Sequence, residues 1–205
     1  LSIGLGSSGV TLQELVSAYS AFANHGIKVE SKGIRYVENR NGKVLFKESQ
    51  NKTQPISNGI ASVITSLLQS VVKEGTAKKV RALERPTAGK TGTTNNYIDA
   101  WFLGYTPKLL TGVWVGKDDV EPLGKNETGS RAALPIWLEY MKRALEGTPI
   151  HNFRTTYETV FTKINPDTGN LTDAEDPKGY FEIFLKDKLP AKQNNATKVL
   201  IDKAF

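Results

Sequence analysis

The sequence predicts an α+β fold in which helices flank an antiparallel sheet. Three segments show helical periodicity of apolar residues, and three β-prone segments lie between the second and the third of them. The helical segments are 12–23, 57–73 and 132–145, and the β-prone segments are 87–94, 100–105 and 109–115. Short polar connections between the β-prone segments favour antiparallel neighbours, because a parallel pair needs a long crossover.

The first two helices have clear boundary signals. Thr11 and Glu14 form a capping-box pattern that opens the first helix, and Gly26 is suited to the left-handed residue that follows its last turn. Ser57 or Asn58 opens the second helix, which closes at Gly75. Its apolar residues form a broad stripe that we expect to be buried. The stripe consists of Ile60, Val63, Ile64, Leu67, Leu68, Val71 and Val72.

A β-hairpin is predicted between these two helices. The β-prone runs 34–37 and 44–46 flank a polar turn that contains Asn41-Gly42, a pair that tolerates the positive φ of a tight hairpin. After residue 150 the pattern loosens into short β-like pieces and a polar end. We therefore predict a main domain over 1–150 and an appended extension over 151–205.

The composition excludes several classes of function. There is no cysteine, so disulfides, thiolate zinc sites and thiol nucleophiles are excluded. The formal net charge is +6, but the lysines and arginines are scattered and rarely interleaved with aromatic residues, so nucleic acid is not an expected partner. No apolar run approaches the roughly 20 residues of a membrane-spanning helix. The chain opens at Leu1, and we expect a segment of a longer protein whose anchor lies upstream.

The segment that carries chemistry is Lys90-Thr91-Gly92-Thr93, on a predicted strand. A lysine beside hydroxyls offers a charge and hydrogen-bond donors to a carboxylate, while Gly92 leaves room for a substrate backbone. Such a strand could also pair with an extended peptide. The Gly-Lys-Thr triplet does not form a phosphate-binding loop, because Glu84 stands where that loop needs its first glycine and a strand continues where a helix should begin.

The order of several motifs resembles the class A, bifunctional penicillin-binding proteins. Lys-Thr-Gly is one signature of penicillin-binding proteins and serine β-lactamases, and the resemblance extends over roughly residues 1–145. The matching elements are Leu5 to Thr11, Asn24-His25-Gly26, Gly75-Thr76-Ala77, Gly89 to Thr94, "DAWFLGYTP" (99–107), "GVWVG" (112–116) and "ALPIW" (133–137).

The resemblance implies the penicillin-binding and serine β-lactamase-like transpeptidase fold, of which this chain would supply the C-terminal portion and the last three of five strands. It implies that Lys90 is catalytic and binds the terminal carboxylate of a D-Ala-D-Ala stem peptide or a β-lactam. Thr91 and Thr93 would add hydroxyl contacts, Gly92 would give clearance, and the Thr93 N–H would be half of an oxyanion hole. No cofactor or metal is implied. A membrane-anchored parent facing outward, with an upstream glycan-polymerising domain, is also implied.

One required part of the family pattern has no convincing match. The family places a serine and a lysine, spaced S-x-x-K, on a helix. Ser49 begins one such spacing in a wholly polar stretch, where nothing would bury the lysine enough to make it a base. Ser70 begins another on the polar face of the second helix, only about 20 residues before Lys90. We therefore expect the nucleophilic serine, and the S-x-N element, in an upstream part, and expect this chain alone to be inactive.

Other chemically suggestive residues have ordinary structural explanations. His25 and His151 have no Asp or Glu at metal-ligand spacing and are predicted to lie at the surface. Asp99 is expected to form a turn or cap, although it could touch the site from the next strand. The three tryptophans, at positions 101, 114 and 137, are predicted to lie in the core.

Two alternatives to a transpeptidase remain open from the sequence. The chain could be a non-catalytic unit or interaction module in which the Lys-Thr-Gly strand is idle. Alternatively, it could belong to a D,D-carboxypeptidase or a β-lactamase, which would use the same strand and transfer the acyl group to water.

Overall fold

The structure is a computed structural model, and it describes residues 8–49 and 52–192. Contacts divide the chain into two compact units, Leu1–Arg154 and Thr155–Phe205. This division lies close to the predicted one at residue 150, although the assignment of the two parts as domain and extension stays a prediction. None of the helices in the described part of the chain has the combined length and hydropathy of a membrane span.

The first unit is built on a three-stranded antiparallel sheet whose strands are neighbours in chain order. These strands are Ala88–Thr93 (β5), Ala100–Tyr105 (β6) and Leu110–Val115 (β7). The predicted antiparallel order is therefore confirmed. The short connections place β5 at one edge of the sheet and β7 at the other.

Helix α1 (Leu12–Ala23) covers one face of this sheet. Its capping box is present as predicted, because Thr11 Oγ1 accepts from the Glu14 N–H (3.2 Å) while the Glu14 carboxylate accepts from the Thr11 N–H (2.8 Å). Gly26 follows the helix with φ +94°, as its position predicted. At Gly112 of β7 the helix approaches so closely that a Cβ would lie 2.7 Å from Val16.

Helix α3 (Leu134–Ala144) covers the opposite face. It begins later than predicted, because residues Gly129–Ala133 form a wider π-type turn. Trp137 is fully buried, stacks edge-on against Phe102 of β6, and donates from Nε1 to the carbonyl oxygens of Gly104 (3.3 Å) and Thr111 (3.0 Å). This helix therefore anchors the core of the unit. The core also includes Val72, Ala77, Val80, Leu83, Ala100, Ala133, Leu134, Met141 and Leu145.

Helix α2 (Asn58–Lys73) packs on β5 through a face that overlaps the predicted stripe only in part. The buried positions are mainly small residues, Gly59, Ala61 and Thr65, together with Val72. Ile60 and Leu67 of the predicted stripe are 38% and 53% exposed, so the prediction that this stripe is buried was wrong for them. Small side chains allow the helix axis to approach β5 and α1 closely. This packing leaves Ile60 and Leu67 exposed, whereas Val72 of the predicted stripe is buried.

The predicted hairpin is present as β2 (Tyr36–Glu38) and β3 (Val44–Lys47), joined by a turn in which only Gly42 has positive φ (+76°). The sequence did not predict two shorter strands, β1 (Lys28–Val29) and β4 (Lys52–Thr53), which pair with each other.

The second unit contains an antiparallel pair, β8 (Thr159–Ile164) and β9 (Tyr180–Leu185). In the connection between them, the Asp176 carboxylate accepts hydrogen bonds from Thr172 Oγ1 (2.7 Å) and Asn165 Nδ2 (3.1 Å). The hydroxyl of Thr172, the backbone N–H of Lys178 and the amide of Asn165 lower the pKa of Asp176 to about 2.

Candidate active-site strand

The four predicted site residues lie consecutively on the edge strand β5, but their side chains point to two faces. Lys90 pairs with Leu103 and Gly92 pairs with Trp101, so these residues share the face that α1 covers. Thr91 pairs with Phe102, so by alternation Thr91 and Thr93 belong to the face that α3 covers. Because β5 is an edge strand, groups from both faces can still reach its open edge. We call this open edge of Lys90 to Thr93 the β5 rim.

The backbone of Thr91 and Thr93 points outward at this rim. The Thr94 N–H donates to the Asp99 carbonyl oxygen (3.1 Å), which makes Thr94 and Asp99 a hydrogen-bonded pair next to the end of the strand. Hydrogen-bonded and non-hydrogen-bonded pairs alternate along an antiparallel ladder. Thr93 and Thr91 therefore fall at positions whose N–H and C=O groups point away from β6, where an added strand or a substrate would lie.

Lys90 is exposed, and its ammonium stays close to the strand. Its Nζ donates to the Thr91 carbonyl oxygen at 2.8 Å, a group that the alternation directs outward. In the part of the chain that the structure describes, Lys90 forms no salt bridge. Its positive charge is therefore held at the rim without a carboxylate partner.

Glycines at positions 92 and 129 allow close packing around β5. A Cβ on Gly92 would lie 3.1 Å from the Cβ of Trp101. A Cβ on Gly129, in the π-type turn, would overlap the carbonyl oxygens of both Gly92 and Trp101. The glycine at position 129 thus lets the turn before α3 rest directly on the backbone of β5 and β6.

Both threonine hydroxyls have partners that the sequence analysis did not assign. Thr91 Oγ1 lies 2.8 Å from the hydroxyl of Thr76, and Thr93 Oγ1 accepts a hydrogen bond from the Gly129 N–H (3.0 Å). Thr76 lies in the Gly75-Thr76-Ala77 element, which was noted only as part of a resemblance. No local pattern indicates that these residues would meet β5.

A cleft of about 780 Å³ lies beside Lys90, between β5 and α1. One side of it is aromatic, because Trp101 and Trp114 pair across β6 and β7 with ring centroids 6.0 Å apart. Trp114 is 41% exposed and Trp101 is half-buried, so the prediction that all three tryptophans lie in the core was wrong for these two. Tyr19 of α1 also lines the cleft, and burial raises the pKa of its hydroxyl.

Asp99 stabilises the turn after β5 and also lines this cleft. Thr94 Oγ1 accepts from the Asp99 N–H (2.8 Å) and donates to the Asp99 carboxylate (3.1 Å), which is the turn role that the sequence predicted. The other carboxylate oxygen accepts from Trp114 Nε1 at 2.8 Å. This contact orients the exposed indole at the cleft wall.

Of the two candidate serines, Ser70 forms its hydrogen bond within its own helix. Ser70 Oγ donates to the carbonyl oxygen of Ser66 one turn earlier in α2, a common arrangement for a helical serine. The spacing that begins at Ser49 includes residues 50 and 51, which lie outside the described residues, as do the first three residues of the matching segment Leu5 to Thr11. Among the described residues, no group of three or more histidine and carboxylate side chains is arranged to hold a metal ion.

Comparisons with known proteins agree with the resemblance. The family model described as the penicillin binding protein transpeptidase domain matches residues 1–141. Penicillin-binding protein 1A of Aquifex aeolicus (strain VF5) is 39% identical over 92% of this chain, and that of Pseudomonas aeruginosa is 34% identical over 94% of it. The chain spans 26% and 30% of the length of these two relatives.

Solved structures show the same relationship. The crystal structure of penicillin-binding protein 1A from Haemophilus influenzae superposes with a TM-score of 0.85 and 27% identity, over 94% of this chain and 34% of that one. PonA1, a penicillin-binding protein from Mycobacterium tuberculosis, superposes with a TM-score of 0.65 and 31% identity, over 77% of this chain and 44% of that one. The chain therefore belongs to the penicillin-binding protein transpeptidase family, as its match to that family model and its similarity to penicillin-binding proteins 1A show.

Proposed function

We propose that this chain forms the substrate-binding wall of a peptidoglycan D,D-transpeptidase. The whole enzyme would cross-link stem peptides through an acyl-serine intermediate and would be acylated by β-lactams. The observation that carries the proposal is the edge of β5, where a lysine without a salt bridge, two threonine hydroxyls and outward backbone groups meet beside a cleft. The match of residues 1–141 to the transpeptidase family supports this chemistry over other uses of an exposed strand edge.

Lys90 is proposed to bind the terminal carboxylate of a D-Ala-D-Ala peptide or the carboxylate of a β-lactam. Its ammonium has no carboxylate partner among the described residues, so binding a substrate anion breaks no existing ion pair. The hydroxyls of Thr91 and Thr93 add neutral donors on the same rim. Charge-assisted hydrogen bonds of this kind are shorter and stronger than neutral ones.

The outward N–H of Thr93 is proposed as one half of the oxyanion hole. A fixed backbone donor needs no reorganisation when negative charge develops on the carbonyl oxygen, and loss of one such donor typically costs about 10² to 10³ in rate. The same edge can hold the peptide as an added strand, because Thr91 and Thr93 both present backbone groups there. The second oxyanion donor would be the N–H of the nucleophilic serine itself.

The remaining catalytic parts are proposed to come from an upstream half of the same protein. That half would carry the S-x-x-K and S-x-N elements, and the relatives that this chain matches are three to four times its length. By itself the chain is expected to be inactive. We place the complete protein, with its glycan-polymerising domain and membrane anchor, at the extracytoplasmic face of the bacterial cell membrane.

The role of Lys90 is tested by the acylation kinetics of the complete protein with benzylpenicillin. Lys90→Ala should lower the second-order acylation rate constant by at least about tenfold, because a hydrogen bond to a charged group contributes about 1.5 to 3 kcal/mol. Lys108→Ala, in the turn between β6 and β7, is the matched control and should keep the normal rate. An unchanged rate in Lys90→Ala would contradict the proposal that Lys90 binds the carboxylate.

The location of the nucleophile is tested on this chain alone. After incubation with benzylpenicillin, mass spectrometry should show no covalent adduct, because the serine that attacks is expected upstream. An adduct would contradict that expectation, and peptide mapping would then distinguish Ser70 from Ser49.

A further inference from the structure

We propose that Thr76 and the backbone N–H of Gly129 are positioning groups that direct the hydroxyl protons of Thr91 and Thr93 toward a bound carboxylate. This inference rests on the proposed function of the β5 rim. It adds a reason why the two threonine hydroxyls donate toward the substrate carboxylate. Thr76 and Gly129 belong to the 75–77 element and to the turn before α3, and both contact threonine side chains on one face of β5.

The geometry at Thr93 fixes the direction of its hydrogen bond. A backbone N–H can only donate, so Thr93 Oγ1 must act as an acceptor toward Gly129 at 3.0 Å. A hydroxyl has a single proton, and in this arrangement that proton is not used by Gly129. It remains available for an acceptor at the rim, where Thr93 is exposed.

The pair of Thr76 and Thr91 can be arranged in two ways, because either hydroxyl can donate across the 2.8 Å separation. If Thr91 donates to Thr76, its proton is consumed and only lone pairs face a substrate anion, which repels them. If Thr76 donates to Thr91, the Thr91 proton is left for the anion. A carboxylate beside Lys90 therefore selects the second arrangement, and each hydrogen bond of the chain polarises the next.

The turn that supplies the Gly129 N–H is held in place by the sheet. Any side chain at Gly129 would overlap the carbonyl oxygens of Gly92 and Trp101, so only glycine allows its N–H to reach Thr93. The Leu134 N–H in turn donates to the Gly129 carbonyl oxygen, which ties the turn to the start of α3. The donor to Thr93 is therefore built into the fold and does not depend on a mobile side chain.

The test compares benzylpenicillin with its methyl ester in the acylation of the complete protein. The two compounds share the reactive lactam and differ in the carboxylate. Thr76→Val removes the hydroxyl and keeps the branched shape, whereas Thr76→Ser keeps the hydroxyl. We expect Thr76→Val to slow acylation by the free acid about threefold to tenfold, to leave the rate with the ester unchanged, and to be rescued by Thr76→Ser.

The control is Thr111→Val, which removes a threonine hydroxyl from the same sheet at β7, where it contacts the sulfur of Met141. This variant should react normally with both compounds. Equal slowing of the free acid and the ester in Thr76→Val would show a general structural effect and overturn the positioning role. A normal rate with the free acid in Thr76→Val would overturn it as well, while leaving the proposed function intact if Lys90→Ala is slow. Failure of the unaltered complete protein to be acylated would overturn both.

Discussion

The contact between the turn before α3 and the edge strand predicts a specific cost for Gly129→Ala. Gly129 is buried, and its φ is not in the left-handed region, so alanine meets no backbone penalty there. Its Cβ would instead overlap the carbonyl oxygens of Gly92 and Trp101 and lie 3.2 Å from the Gly92 nitrogen. These are backbone atoms of two paired strands, which cannot swing aside as a flexible side chain can.

The size of the effect follows from overpacking. Inserting a methyl group into a well-packed site typically costs about 1 to 3 kcal/mol in the free energy of unfolding. For a chain of this size, each kcal/mol lowers the melting temperature by about 2 to 4 °C. Displacement of the turn should also lengthen the hydrogen bond from the Gly129 N–H to Thr93 Oγ1, because that bond forms only when Gly129 lies close to β5.

Tryptophan fluorescence during urea unfolding is a suitable assay. Trp101, Trp114 and Trp137 all lie in the first unit, so the signal reports the unit that contains Gly129. Gly33→Ala is the matched control, because nothing lies within 4 Å of its added Cβ and its φ is not positive. Gly33→Ala should unfold within about 0.5 kcal/mol of the unaltered chain. If Gly129→Ala is as stable as Gly33→Ala, the close contact with β5 is refuted.

Three further predictions concern the rest of the chain. Thr65→Val should destabilise the first unit by about 1 to 3 kcal/mol, because it leaves the buried Tyr105 hydroxyl, 2.9 Å from Thr65 Oγ1, without its partner. Adding Tyr105→Phe should then cost little more, and full additivity in a double-mutant cycle would contradict the pair. Arg85→Lys should cost about 1 to 2 kcal/mol, since a lysine cannot reproduce the fork that donates to the carbonyl oxygens of Leu145 (2.8 Å) and Thr148 (2.9 Å); equal urea midpoints would refute this role. Folding lowers the pKa of Asp176 from 3.8 to about 2, chiefly through the Thr172 hydroxyl, so its stabilisation is present above pH 4 and is lost as the pH falls toward 2. A carboxyl that titrates near pH 4 in an NMR titration, or an Asp176→Asn variant with the same acid sensitivity, would contradict that prediction.

Local signals in the sequence were sufficient for most of the elements and for the chemically important strand. The Thr11 capping box, the left-handed Gly26 and the hairpin glycine at position 42 each act through residues a few positions apart. The order of three antiparallel strands followed from their short connections. The segment from Lys90 to Thr93 could be identified because a lysine, two hydroxyls and a glycine on one strand are chemically distinctive at that spacing.

Only the tertiary structure decided which surfaces these elements present. Periodicity indicates which residues of α2 share a face, but close packing on β5 through Ala61 and Thr65 left Ile60 and Leu67 exposed. Trp114 is a large aromatic residue of the kind that usually lies in a core. It lies instead on the edge strand β7, where its indole N–H donates to Asp99 and its ring forms part of the cleft wall.

The same distinction applies to the candidate site. The sequence by itself determined that Lys90, Thr91 and Thr93 lie together on a strand, because that depends on neighbours along the chain. The tertiary structure decided that this strand is an edge, that its side chains divide between two faces, and that Thr76 and Gly129 hold the two hydroxyls. The physical reason is that these contacts join residues 15 and 36 positions apart, and their formation depends on the packing of whole elements that no local pattern records.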